Sequence, residues 1–234
     1  MHFKTGDGSC DALPGSNALT PASDLRAPRI LRCATLLFLS HGYANTSVED
    51  VAIDACVGKP TIYRLFQDKL GLATAVLENL IRGLEADCRS TIDVEAPPEE
   101  CLVNFGVAYV RWMMKSIGKA HHYECIRLAM EMADSYPDFS RRWTDSLRQA
   151  IIMPLSDYIK RQIEVGNLAA IDDPFFMAGQ FMAHILHISV LKVDSKNHLG
   201  VYGETDIEDF VKRRVAFYLH GGAPRPVGAP PASV

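Results

Sequence analysis

The chain has 234 residues, of which 48% are hydrophobic and 22% are charged, and this length suits one large domain or a small domain joined to a larger one. It contains no run of about 18 uncharged apolar residues, so we expect no membrane span. The net charge of −4 argues against a protein that coats nucleic acid indiscriminately, and any DNA binding must come from a placed patch.

The N-terminus and the cysteines indicate a cytoplasmic protein. The first two dozen residues are polar and lack the basic start and the apolar stretch of a secretory signal. The six cysteines stand singly, without a CxxC motif. Most lie in apolar helical contexts, where a reduced cysteine packs as a small hydrophobe. We therefore expect a protein without disulfides.

The hydrophobic spacing has the helical period almost throughout and predicts an all-α fold. Short helices form a head, and long helices form a body after it. The predicted helices cover residues 26–41, about 47–54, about 59–65, 68 to the late eighties, about 98–116, about 120–133, 137 to about 165, 174 to about 192 and about 205–219. The predicted parts are a tail (1–24), the head (25–86), the body (87–220) and a Pro/Gly-rich tail (221–234), with both tails expected to be disordered.

Individual residues mark helix boundaries. Thr46 or Ser47, followed three residues later by Glu49 or Asp50, forms a capping-box pattern at the start of the second helix. Pro154 lies inside the long seventh helix and should kink it.

The head has the arrangement of a helix-turn-helix. Two short helices are separated by residues 55–58 and are braced by a longer helix before them. In that geometry the second short helix, within VGKPTIYRLF (57–66), lies in the major groove of DNA. Ile62 and Phe66 would hold it on the core. Its free face offers hydroxyl groups and cations to phosphate, from Lys59, Thr61, Tyr63, Arg64 and Lys69.

With these residues in register, residues 29–69 resemble the DNA-binding domain of the tetracycline-repressor (TetR) family. The matching residues are Ile30, Leu31, Ala34, Leu37, Phe38, Gly42, Tyr43, Thr46, Ser47, Val48, Ala52, Val57, Thr61, Ile62, Tyr63, Phe66 and Lys69. Cys56 stands where the family usually has a turn glycine, and a left-handed conformation there would cost about 1 kcal/mol. Gly58 occupies the usual Ser/Thr cap, a smaller loss.

The resemblance implies a set of DNA-contacting residues in the head. This set is Ser47, Glu49, Lys59, Pro60, Thr61, Tyr63, Arg64 and Lys69. All of them except Ser47 and Pro60 have an alternative interpretation. Glu49 could accept a hydrogen bond from cytosine N4 or remain a solvated charge. Tyr63 could be a half-buried aromatic, Thr61 a helix-start residue, and the cations ordinary surface charges.

The body is similar to the C-terminal region of AefR-like regulators. The motif residues are Glu131, Tyr136, Pro137, Trp143, Gly166, Leu168, Asp173, Pro174, Ala178 and Phe181. Family members usually pair through two C-terminal helices, which implies a homodimer. The candidate dimer residues are Phe175, Met182, Ile185, Leu186, Phe210 and Phe217, with monomer core as the alternative.

The resemblance also implies a pocket for a small-molecule effector inside the body. Its candidate lining consists of Tyr109, Trp112, Met113, Tyr123, Arg127, Met130, Trp143, Phe176 and Gln180. Plain core packing is the alternative for the apolar members. Arg127 and Glu131 stand four residues apart on one predicted helix, so we expect them to form an ion pair, unless Arg127 receives an anionic ligand.

The remaining motifs favour a regulator over an enzyme. The sequence has no glycine-rich phosphate loop, G-x-S-x-G elbow or metal-protease signature. His184 and His187 stand three apart, a spacing that can chelate a metal but that has no third ligand at a recognised spacing. His121, His122 and Glu124 cluster at a helix start, and core or interface histidines are the alternative for both groups. We expect no metal, no cofactor and no enzyme activity. The resemblance implies a homodimeric transcriptional regulator that binds an operator in double-stranded DNA, a repressor released by an effector. The alternative is a helical small-molecule carrier or sensor that does not bind operator DNA.

Overall fold

The computed structural model describes residues 26–117, 120–169, 172–190 and 206–221, except for the side chains of residues 116, 117, 120, 121 and 187–190. The predicted all-α fold is confirmed. The described elements are α1 (Arg26–His41), α2 (Val48–Asp54), α3 (Lys59–Phe66), α4 (Lys69–Arg89), α5 (Pro98–Met114), β1 (Ser116–Ile117), β2 (Ala120–His121), α6 (Glu124–Ala133), α7 (Pro137–Leu147), a π-helical turn (Arg148–Ile152), α8 (Met153–Glu164), α9 (Pro174–Val190) and α10 (Ile207–His220). No described helix is both long enough and apolar enough to cross a bilayer.

The head is built by α1, α2, α3 and the first turns of α4 around one small core. Ile30 and Phe38 of α1 meet Val51 of α2, Ile62 of α3 and Leu72 of α4, and all five side chains are buried. The apolar residues of α1 recur at helical spacing, so this helix braces both short helices.

The cap of α2 is the predicted capping box, between Ser47 and Asp50. The Ser47 hydroxyl accepts a hydrogen bond from the Asp50 N–H at 3.1 Å, and the Asp50 carboxylate accepts one from the Ser47 N–H at 3.0 Å. Thr46 is not the cap, because its buried hydroxyl donates back to the carbonyl of Gly42 at 2.9 Å.

The head joins the body through α4, whose 21 residues belong to both parts. Its start lies very close to the end of α3, where a Cβ atom on Gly71 would overlap the backbone carbonyl of Phe66. Only glycine fits there without a backbone shift. Asp68 caps α4 by accepting from the Gly71 N–H at 2.7 Å.

In the body, α5 is the central helix and packs against α4, α9 and α10. Its residues face neighbours on most sides, and Leu102, Phe105 and Val110 are buried with Phe181 of α9 and Val211 of α10.

The predicted start of the sixth helix at residue 120 is wrong. After α5, the β1 and β2 strands form a two-residue antiparallel pair, and α6 begins at Glu124. Two backbone hydrogen bonds hold this segment against the end of α5. The His122 N–H donates to the Lys115 carbonyl (3.1 Å), and the Tyr123 N–H donates to the Met113 carbonyl (3.0 Å). The helical spacing of the sequence continues across this connection, but the hydrogen bonds do not.

The predicted disruption at Pro154 is confirmed, although its form differs from a simple kink. The single helix predicted for 137–165 is α7, a π-helical turn and α8. Proline has no N–H to offer to the carbonyl four residues before it. The turn just before Pro154 is wider, with the Met153 N–H bonded to the Arg148 carbonyl five residues back.

The cap of α9 is Asp173, whose carboxylate accepts from the Phe176 N–H at 2.8 Å. The predictions for residues 1–24 and 222–234 lie outside the described residues.

Candidate nucleic-acid interface

The helix α3 is anchored by one edge and leaves the other edge in solvent. Ile62 is fully buried and Phe66 is partly buried against the core. Gly58 caps the helix and Pro60 occupies its first turn. Proline suits this position because the first N–H groups of a helix have no intrahelical partner. The remaining N-terminal N–H groups carry the positive end of the helix dipole, which attracts phosphate.

The exposed edge of α3 carries predicted DNA-contacting residues. Lys59 and Arg64 are exposed, and Tyr63 keeps 48% of its surface accessible although it is a large aromatic side chain. Thr61 lies half-buried at the same end. Lys59 and Tyr63 are four residues apart on this helix and Thr61 and Arg64 are three apart, so each pair lies side by side on the surface of the helix that Ile62 does not bury.

Glu49 is not a free carboxylate. It accepts a hydrogen bond from the Lys59 ammonium at 3.2 Å, which ties α2 to the start of α3. Both side chains are largely exposed, so this ion pair adds at most about 1 kcal/mol to stability. It nevertheless sets the position of both groups at the surface that would face DNA.

Two other predicted contacts are engaged within the head. The Ser47 hydroxyl serves the α2 cap and also donates to the Asp50 carboxylate at 2.6 Å. This bond to the Ser47 hydroxyl is the main reason that the pKa of Asp50 is lowered. The Lys69 ammonium lies 4.4 Å from the ring centroid of Tyr43 and 3.4 Å from the carbonyl of Ala44.

Cys56 adopts the left-handed backbone conformation that its position in the turn requires. Its φ is +48°, in the region that favours glycine. The guanidinium of Arg29 donates to the Cys56 carbonyl at 3.5 Å. The turn therefore takes the left-handed conformation without a glycine, at the cost of about 1 kcal/mol that such a conformation carries for a residue with a Cβ atom.

The body contacts the head at the end of α1 and in the turn after it. We call this set of contacts the clasp. Arg127 of α6 donates to the carbonyl of Leu39 at 2.7 Å. The Glu131 carboxylate accepts from the N–H groups of Tyr43 (2.9 Å) and Ala44 (2.7 Å). The hydroxyl of Tyr43 lies 3.3 Å from that of Tyr136, with the two rings edge to face.

Burial in the clasp is the main cause that raises the pKa of Tyr43, and the hydrogen bond with the Tyr136 hydroxyl is the second. The predicted ion pair between Arg127 and Glu131 is wrong, since among the described side chains Arg127 pairs with Glu124 at 2.8 Å. Glu131 instead accepts from backbone N–H groups of the head.

The predicted effector-lining residues do not surround one cavity. Tyr109, Trp112 and Met113 are buried, and Tyr123 and Trp143 are partly buried. Met130, Phe176 and Gln180 lie at the surface, and Arg127 belongs to the clasp. Helical spacing alone does not identify the side chains that face inward. That also depends on which helices lie beside each one.

The predicted dimer residues separate into two groups. Met182, Ile185 and Phe210 are buried in the monomer core, so the alternative interpretation holds for them. The other three, Phe175, Leu186 and Phe217, are exposed on α9 and α10 together with Phe176, and we call these four side chains the patch on α9 and α10.

The other candidate reactive groups are possible metal ligands and the cysteine thiols. Among the described residues, no group of three or more His, Cys, Asp or Glu side chains is placed to hold a metal ion. The five described cysteines are free thiols. Burial raises the pKa of Cys88 and of Cys125 to about 12, so both stay protonated at neutral pH.

Sequence reasoning missed the clasp. Its signal was present in two separate motifs, Gly42–Tyr43 at the end of α1 and Glu131 with Tyr136 before α7. Neither motif alone indicates that the two meet, since their residues are 88 and 93 positions apart.

Two family models match the chain. Residues 30–76 match the model described as bacterial regulatory proteins, tetR family. Residues 100–220, more than half of the chain, match the model of the AefR-like transcriptional repressor C-terminal domain.

Curated relatives match over part of their length. The HTH-type transcriptional activator FasR of Mycolicibacterium smegmatis is 35% identical over 74 residues, 30% of this chain and 34% of that protein. The HTH-type transcriptional regulator EthR of the same organism is 23% identical over 137 residues, 58% of this chain and 61% of that protein. The matched stretches therefore span between about a third and three fifths of these relatives.

Solved structures share the fold. A tetR-family regulator from Mesorhizobium loti superposes with a TM-score of 0.67 at 21% identity, covering 86% of this chain and 98% of that chain. The structure of AibR in complex with isovaleryl coenzyme A and operator DNA has a TM-score of 0.62 at 21% identity, covering 83% and 98%. At this identity the likeness shows the fold.

Proposed function

The chain belongs to the tetR family of bacterial regulatory proteins, and on that premise we propose that it is a homodimeric repressor that leaves its operator when a small-molecule effector binds. The observation that carries this proposal is the face of α3, where Lys59, Tyr63 and Arg64 are exposed together beside the helix N-terminus while Ile62 holds the helix on the core.

DNA binding would use this face in two ways. The cations and the N–H groups at the start of α3 would contact phosphates and fix the register of the protein on the duplex. Glu49, held by its ion pair with Lys59, would present an acceptor to base edges in the major groove. Such an arrangement suits sequence-selective binding, in keeping with the negative net charge of the whole chain.

Dimerisation would use the patch on α9 and α10. Its four apolar side chains, Phe175, Phe176, Leu186 and Phe217, are exposed in the monomer. Large apolar side chains exposed on two helices that pack on each other favour contact with a second copy. Two heads would then occupy half-sites one helical turn apart, about 34 Å.

Effector binding would act through the orientation of the head on the body. The clasp joins α6 to the end of α1 by three hydrogen bonds, so a shift of α6 displaces the head. The effector and the operator would then weaken each other's binding by the same factor. Isovaleryl coenzyme A is the first compound to test, because AibR, which shares the fold, binds it in its solved complex.

We further expect the protein to act in the cytoplasm, where the bacterial chromosome lies.

The experiment is to select preferred duplexes from a random DNA pool with the full-length protein, and then to measure binding to the selected duplex. We expect Lys59→Ala and Tyr63→Ala each to weaken binding by about tenfold, the effect of losing a contact to a charged partner. The control is Lys160→Ala, an exposed lysine on α8 outside the head. Failure to enrich any duplex would reject the proposed DNA-binding function and leave the helical carrier or sensor as the alternative.

A further inference from the structure

A cleft lies where the head meets the body, between α1, α4 and α5, apart from the DNA-facing edge of α3. Its volume is about 560 Å³, within the range of small-molecule sites in proteins. Residues of the head (Leu31, Arg32) and of the body (Trp112, Lys115) both line it.

The polar lining of this cleft is mainly cationic. Arg32, Arg82 and Lys115 line it with one acid, Asp87. Within the described part of the chain, none of the three cations has a carboxylate within ion-pair distance, and the hydrogen bond from Arg82 to the Asn79 amide is long, at 3.5 Å. Three cations around one cleft create a positive potential that only one carboxylate offsets.

The rest of the lining combines the polar Thr35 and Asn79 with apolar and aromatic side chains. Leu31 and Leu80 contribute aliphatic surface. The Trp112 indole contacts the ring of His122, with centroids 4.3 Å apart and the ring planes tilted by 47°. Gly83 lies close to Trp112 in this cleft, and a Cβ atom at this position would lie 3.3 Å from the indole nitrogen.

From this combination we propose that the cleft binds a small amphiphilic anion, a carboxylate or phosphate group joined to an apolar stem. The anionic group would pair with Arg32, Arg82 and Lys115, and the stem would lie against Leu31, Leu80 and Trp112. Paired hydrogen bonds to a guanidinium favour planar or tetrahedral oxyanions over neutral groups. The ligand would bridge α1 and α5, and so it would bind at a site separate from the DNA-contacting face.

Tryptophan fluorescence tests this directly, because the chain has two tryptophans. The full-length variant Trp143→Phe leaves Trp112 as the reporter. Octanoate and octyl phosphate are titrated as the carboxylate and phosphate probes, and octanol and inorganic phosphate supply the stem alone and the anion alone. We expect saturable changes in Trp112 emission with either or both of the first two, at least about tenfold tighter than with octanol or phosphate. The probe that binds more tightly, octanoate or octyl phosphate, identifies the anionic group.

Variants in the same background assign the binding to the cleft. Arg82→Gln and Lys115→Gln should each weaken the better probe by about tenfold, whereas Arg82→Lys should retain part of the affinity because it keeps the charge. Lys160→Gln on α8 is the control and should bind as the parent does. The proposal is overturned if octanol binds as tightly as both anionic amphiphiles, or if Arg82→Gln and Lys115→Gln bind like the control. No DNA is present in this assay, so its outcome is independent of operator binding.

Discussion

The carboxylate of Glu131 accepts a hydrogen bond of 2.7 Å from the backbone N–H of Ala44, 87 residues earlier in the chain. Its other oxygen accepts from the next N–H of the same turn, that of Tyr43, at 2.9 Å. One side chain of α6 thereby accepts from the N–H groups of two consecutive residues in the turn that follows α1. The head is therefore held on the body by specific hydrogen bonds as well as by apolar packing.

Replacing Glu131 by glutamine tests the strength of this contact. The amide of the introduced glutamine would have one acceptor oxygen where the carboxylate has two, so one backbone N–H of the turn would lose its partner. We expect the free energy of unfolding to fall by about 1–2 kcal/mol. Urea denaturation measures it, with Glu164→Gln as the control. Glu164 makes an exposed contact of 3.9 Å with Arg161, and its replacement should cost less than about 0.5 kcal/mol. Equal losses in the two variants would contradict a specific role for Glu131.

Gly42 is required at the end of α1 for two reasons. Its φ is +85°, and an added Cβ atom would lie 2.8 Å from the Glu131 carboxylate. We expect Gly42→Ala to reduce the free energy of unfolding by more than about 1 kcal/mol. Gly179→Ala is the matched control, because a Cβ atom at this position in α9 meets nothing within 4 Å. Alanine favours a helix over glycine by about 1 kcal/mol, so thermal denaturation should show the opposite sign for the control. A stabilised Gly42→Ala variant would show that the turn tolerates alanine.

Disrupting the patch on α9 and α10 should change the oligomeric state. Phe217 is 56% exposed in the monomer, so Phe217→Glu should leave the fold intact and place a charge at the proposed interface. We expect sedimentation velocity to show dimers of the parent and monomers of Phe217→Glu. Met130→Glu, at an exposed methionine on α6, controls for the added charge and should remain dimeric. Dimers of Phe217→Glu with unchanged affinity would move the interface elsewhere.

The buried thiols predict a loss of stability in alkaline solution. Burial raises the pKa of Cys88 from its ordinary value of 9.0 to about 12. Below pH 9 the thiol is protonated in both the folded and the unfolded chain, so it adds no pH dependence. Between pH 9 and pH 12 the unfolded chain loses the proton that the folded chain keeps, and the free energy of unfolding falls by up to about 1.4 kcal/mol per pH unit.

Urea denaturation between pH 8 and pH 11 measures that slope. Cys88→Ala should show a shallower decline than the parent, whatever its stability at neutral pH. Cys56→Ala, which removes an exposed thiol, should keep the parental slope. If Cys88→Ala also declines as steeply as the parent, its thiol does not contribute to the alkaline loss.

The sequence predicted local features well. The capping pattern around Ser47 and Asp50 and the disruption before Pro154 depend on a few neighbouring residues, and the structure has both. Local backbone preferences decide such features.

Features set by distant residues were not predictable in the same way. Arg127 and Glu131 have the helical spacing of an ion pair, but Arg127 binds the Leu39 carbonyl and Glu131 binds the turn after Gly42. Met130 and Phe176 are of residue types that often line pockets, but both side chains lie at the surface. Whether such side chains are buried depends on how the helices pack, which contacts between residues far apart in the chain decide.

The most direct test of DNA reading by α3 is the salt dependence of binding to the selected duplex and to a scrambled one. We predict tighter binding to the selected duplex at each salt concentration, with affinity falling linearly on a log–log plot as salt rises. Lys59→Ala should reduce that slope by about one unit if Lys59 contacts a phosphate. Equal binding of parent and Lys59→Ala to both duplexes, with equal slopes, would contradict the assignment of α3 as the DNA-reading helix.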